Sequence, residues 1–104
     1  MTYTPATQDQ LLAIRVNAGI EELAQSEKFA AAEPDMVEAI VGGIGEFAAG
    51  EWAPLNRVGD LEGAKLENGV VTLPDGFAAA YEHYVEQGWN AISGPTEFGG
   101  QGLP

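Results

Sequence analysis

Eight apolar side chains, Val37, Ile40, Val41, Ile44, Phe47, Ala48, Trp52 and Leu55, recur at offsets of 0, 3, 4, 7, 10, 11, 15 and 18. That is the spacing of one face of one α-helix, and whatever this chain folds into must cover that face. The same stretch carries Gly42, Gly43, Gly45 and Gly50, each costing about 1 kcal/mol relative to Ala in a helix interior. A helix so weakened is held by its neighbours, and the glycines suit the close approach of another helix. Pro54 then either ends the regular helix or kinks it.

The material available to cover the stripe is scant. Of 104 residues, 16 are Ala and only 24 are Leu, Ile, Val or Phe. This lies just above the composition, about 20% of these four types, at which a highly charged chain reads as disordered. A single small domain, or part of a larger one, is expected, with marginal stability of its own. The formal net charge of −12, from 4 basic and 16 acidic residues, excludes nucleic-acid phosphate as a partner and disfavours anionic membrane surfaces. With no Cys there is no disulfide framework and no thiolate metal site, which fits a reducing compartment. The opening MTYTPATQDQ lacks the basic flank and apolar run of a secretory signal, and no stretch suits a bilayer span. A cytoplasmic protein is expected.

Residues 1–6 read as an extended arm, because Pro5 disfavours a helical conformation at Thr4. A first helix is predicted near residues 8–26, with Thr7 and Gln10 as a capping box and Leu12, Val16, Ile20 and Leu23 at helical spacing. Asp35, after Glu33-Pro34, is the expected N-cap of the stripe helix, with Glu38 placed to return the bond. From Gly59 to Asp75 the signals are those of turns. Asn68-Gly69 followed by Val70-Val71-Thr72-Leu73 predicts an extended segment or small hairpin near residues 66–73. Asp75 is the expected cap of a last helix, whose Phe77, Tyr81, Tyr84 and Val85 form an aromatic face and which Gly88 stops. Residues 94–104, rich in Gly and Pro, read as a connector, and the chain reads as cut off there because a terminal Pro suits the start of a helix. The fold class is mostly α: a small helical array with one short extended segment.

The candidate chemistry is thin. Gly43-x-Gly45-x-x-Ala48 has the form of a relaxed dinucleotide fingerprint, but it falls in mid-helix with no βαβ unit around it. His83, the only histidine, has Glu82 and Glu86 beside it, too few ligands for a metal, and reads as a solvated surface group. Asp60-x-Glu62-Gly63 lacks the later positions of a calcium loop. Ser26 and Ser93 have no neighbouring nucleophile motif. Trp52, Trp89, Tyr81 and Tyr84 lie at helical spacing and read as core before ligand platform. No catalytic, cofactor-binding or metal-binding residue is assigned.

Several segments, in order, resemble the beginning of an acyl-CoA dehydrogenase, in the branch of that flavoprotein family with an extra amino-terminal segment. Tyr3-Thr4-Pro5 and the helix from Asp9 resemble that extra segment. Ala53-Pro54-Leu55-Asn56-Arg57-Val58-Gly59-Asp60 resembles the family's helix exit, continued by Glu62-Gly63-Ala64-Lys65-Leu66. Pro74-x-Gly76-Phe77, Ala80-Tyr81, Gly88-Trp89 and Pro95-x-Glu97-Phe98-Gly99-Gly100-Gln101-Gly102-Leu103-Pro104 follow in the family's sequence. The resemblance implies residues 1–33 as the extension with its first helix, and residues 34–104 as the start of the amino-terminal helical domain, truncated.

It also implies an oxidoreductase of fatty acid metabolism that forms the α,β double bond of an acyl-CoA. Its FAD and catalytic carboxylate lie in later domains, and an electron-transfer flavoprotein takes up the electrons. On that reading this piece is inactive alone, binds no FAD, packs on the remaining domains of the same chain and joins a homo-oligomer when complete. Glu97, before a glycine turn, is expected to fix the connector and not to act as the base. The competing reading is a free-standing acidic helical module that binds protein without catalysis; a small acidic protein of unrelated purpose is a third. In a chain this small, the stripe from Val37 to Leu55 and the face around Tyr81 cannot both be fully covered, so part of them is expected at the surface.

Overall fold

In the computed structural model, which describes residues 2–104, the apolar stripe lies along one rod made of two kinds of helix. Helix α3 (Pro34–Phe47) runs into a π-helical turn (Ala48–Trp52) and then α4 (Ala53–Glu62). Pro34 begins the rod because its fixed φ is already helical and its missing N–H is one that a first turn leaves unused. Pro54 poses the opposite problem inside the rod, since in a regular α-helix its ring would meet the carbonyl four residues back. The wider π turn absorbs that conflict. Gly63, at φ +66°, then ends α4.

Ahead of the rod, an extended arm leads into α1 (Thr7–Val16), which packs on α3, followed by the short α2 (Ile20–Leu23). Ser26 caps the 3-10 turn Glu27–Phe29: its hydroxyl donates to the Leu23 carbonyl at 2.7 Å and accepts from the Phe29 amide at 3.3 Å. After the rod, β1 (Lys65–Glu67) and β2 (Val70–Thr72) pair antiparallel with Leu66 opposite Val71. Asn68 (φ +52°) and Gly69 (φ +77°) supply the two left-handed residues of a type I′ turn. Helix α5 (Phe77–Glu86) follows and stops at Gln87, with Gly88 left-handed beyond it. Residues 89–104 fold back on themselves: the amides of Gln101, Gly102 and Leu103 donate to the carbonyls of Ala91, Gly94 and Ile92.

Three glycines receive these outlying segments. A Cβ on Gly43 would stand 2.7 Å from the Trp89 ring, one on Gly45 3.1 Å from Pro5, and one on Gly59 2.8 Å from the Phe77 ring. Gly42 and Gly50, on other faces of the rod, meet nothing within 4 Å. The core is small. Its buried apolar residues are Ala32, Val41, Phe47, Ala80 and Leu103. The accessible surface is 7720 Å², against about 5,600 Å² for a compact protein of this mass. The radius of gyration is 16.9 Å, against about 13 Å for a compact domain of this length. The expected exposure of the apolar faces is observed, with Tyr81 63% and Trp52 42% accessible. Among the described residues no helix is long and apolar enough to cross a membrane.

The mostly helical class and the hairpin agree with the sequence reading; several boundaries do not. The helix expected over residues 8–26 breaks at Gly19, whose φ of +63° no regular helix contains. Thr7 does not cap it: Ala6 precedes the first turn without a side-chain bond, and the Thr7 methyl is used against Gly45. Asp35 and Asp75 are not caps either. The chain enters α3 through Glu33 and Pro34, and enters α5 through Gly76 at φ +93°. The helical path passes through Pro54, and α4 continues four residues, Gly59 to Glu62, into the stretch expected to turn. Trp52 and Tyr81, read as core, are exposed.

Gly43 and Gly42 make a matched test of the rod. Gly43→Ala gains helix propensity but drives a methyl into the Trp89 ring, and is expected to destabilise by about 1–2 kcal/mol. Gly42→Ala, with open space around it, is expected to stabilise by about 0.5–1 kcal/mol. Urea or thermal unfolding of the two variants checks the opposite signs.

Candidate functional site

The π turn does more than accommodate Pro54, because it sets Glu51 and Trp52 beside α5. The Trp52 ring lies 5.5 Å from Phe47, edge to face, and 5.0 Å from Tyr84; Phe47 and Tyr84 are 6.0 Å apart. Tyr81 extends the cluster, 6.2 Å from Tyr84. These centroid spacings fall in the range where aromatic pairs add about 0.5–1.5 kcal/mol beyond the area they bury. They join α5 to the rod.

Beside the rings, His83 Nδ1 lies 3.1 Å from Glu51 Oε2. An ionised carboxylate only accepts, so Nδ1 carries the proton and donates. The hydrogen bond to Glu51 raises the imidazole pKa above its ordinary 6.5, followed by the charge of Glu51; partial burial opposes this, and the charges of Glu86 and Glu82 add to it. Both partners are substantially exposed, so this ion pair contributes little to stability. Of the residues singled out from sequence, His83 is placed at the surface as expected. Its partner Glu51, 32 residues away, carries no local signal and was not anticipated.

Next to the cluster an open groove of about 850 Å³ runs between α4 and α5, walled by Trp52, Leu55, Leu73, Phe77 and Tyr81. Gly59 forms part of its floor, and Asp60 is its charged side chain. The groove is apolar, and the aromatic and aliphatic walls offer surface to bury without a nucleophile or a set of donors to polarise a substrate. The other motifs are not brought together. Among the described residues no group of three or more His, Asp or Glu is placed to hold a metal ion. Ser26 caps a turn, and the connector near Glu97 is fixed by backbone bonds from residues 100–103. Gly43 and Gly45 offer no cradle to a pyrophosphate, since their open faces are filled by Trp89 and by Pro5 with Thr7.

No protein-family model matches the chain. Over all 104 residues it is 38% identical to the 3-methylmercaptopropionyl-CoA dehydrogenase of Ruegeria pomeroyi. The chain spans 18% of that relative's length, so the likeness is to one segment of a CoA-thioester dehydrogenase.

A folded-state pKa above 6.5 means that the His83–Glu51 pair adds its stability fully below about pH 6.5 and loses it as the pH rises through the raised value. An NMR titration of the His83 ring is expected to give a midpoint above 6.5 in the parent chain and a lower one in Glu51→Gln. Glu82 and Glu86 should keep some elevation in that variant. An identical midpoint in both proteins would show that the pair does not form in solution.

Proposed function

We propose that these 104 residues form the amino-terminal part of a flavin-dependent acyl-CoA dehydrogenase. The observation that carries this is the 38% identity, sustained over every residue of the chain, to a protein that oxidises an acyl-CoA and is several times longer. Residues 1–33 are then the amino-terminal extension and residues 34–104 the start of the helical domain. The segments from Ala53 to Pro104 that resemble the family in order support the second of these assignments.

The complete enzyme forms an α,β-unsaturated thioester: a carboxylate removes the α proton as the β hydride passes to FAD. Electrons then leave by way of an electron-transfer flavoprotein. The carboxylate and the flavin contacts belong, on this reading, to protein outside these residues. The part of the chain described here is structural: the rod supplies a scaffold to which α5 and the terminal loop are fixed. Its large accessible surface and small core support a role as one component of a larger body. Assembly as a homo-oligomer and a place in the cytoplasm complete the proposal. The acyl chain is proposed only as a class.

The protein expressed from the complete reading frame is expected to purify with flavin and to lose its visible flavin absorbance when acyl-CoA is added without oxygen. A purified protein that holds no flavin, or whose flavin acyl-CoA leaves oxidised, overturns the proposal. Titration of the isolated 104 residues with FAD is expected to show no stoichiometric binding; a tight one-to-one complex would contradict the placement of the cofactor.

A further inference from the structure

We infer that the groove between α4 and α5, with the adjoining face of the hairpin, is a protein-docking surface, and that its occupant is an apolar surface rimmed by basic side chains. The inference rests on the reading above for where that occupant lies: the remaining part of the same polypeptide.

Three observations carry it. The apolar surface is continuous: Leu73, in the groove wall, is the residue after β2, and Leu66 and Val71 are cross-strand partners on one face of the hairpin. All three are more than half exposed, as is Tyr81. A two-stranded hairpin with no covered face is at best marginally stable in water, so this one is built to be covered. The chain as a whole also exposes more than a compact protein of its mass: its 7720 Å² of accessible area exceeds the compact value by about 2,000 Å², and this face is part of that surplus.

Charge selects the occupant. Residues 53–86 carry six carboxylates against Arg57 and Lys65, and Asp60 stands in the groove itself. A second copy of this chain would set two net charges of −12 against each other, and like-charge juxtaposition opposes association. A polyanionic CoA ester is repelled for the same reason. An apolar surface with Lys and Arg at its rim is complementary on both counts.

The test is made on the complete polypeptide by hydroxyl-radical labelling. Tyr81 and Leu73 are each expected to react at least about tenfold more slowly than the free amino acids, as residues at the core of an interface do. Labelling within about twofold of the free amino acids, in keeping with their exposure here, overturns the inference. Protection that appears only as protein concentration rises assigns the face to a second copy and overturns the choice of occupant.

The substitution Asp60→Lys, at unchanged helix content, is expected to raise Tyr81 labelling at least about threefold at low ionic strength. Unchanged labelling overturns the basic rim. Flavin reduction by acyl-CoA is read separately. Protected Tyr81 without flavin chemistry removes the proposed activity and leaves the docking face standing, whereas active flavin with freely labelled Tyr81 does the reverse.

Discussion

Contact between a ring and bare helix backbone is the interaction on which this structure depends. Pro5 meets Gly45, Trp89 meets Gly43 and Phe77 meets Gly59, so the arm, the 3-10 turn after α5 and the start of α5 each reach the rod at a position without a Cβ. Each glycine weakens the helix by about 1 kcal/mol. Each also lets a flat group come close enough for many dispersion contacts that a methyl would prevent. The rod and its attachments therefore stabilise one another, which is why a helix with so many glycines persists in a chain with so few buried side chains.

The second attachment is electrostatic and weaker. His83 is one of very few groups able to carry positive charge in a chain of 16 carboxylates, and it faces Glu51 across the junction of α5 with the π turn. At that exposure the pair orients more than it stabilises, and the rings of Phe47, Trp52 and Tyr84 hold the junction.

What was legible from sequence was legible for local reasons. Asn68-Gly69 demands left-handed backbone at two successive positions, and Gly88 at the end of an apolar period demands it once; both were read correctly. The apolar stripe required only a count of spacings. The caps were misread because several residues compete for each helix start. Proline at 34 already holds a helical φ, and glycine at 76 tolerates a left-handed entry that would strain an aspartate, while the Thr7 methyl lies against Gly45 and its hydroxyl makes no cap. Close approach at the glycines was foreseen, though by another helix and not by rings and an arm. The Glu51–His83 pair joins segments 32 residues apart, and no spacing rule reaches that far.

The π turn has a consequence beyond making room for Pro54. Each residue advances an α-helix by about 100°, so a wider turn at residues 48–52 resets the azimuth of everything beyond it. That phase decides which flank of α4 meets Phe77, and so aims Leu55 and Gly59 together at one wall of the groove. The loss of a single residue from that turn would rotate α4 like a misthreaded screw, leaving the two halves of the rod intact but pointing their apolar flanks in different directions.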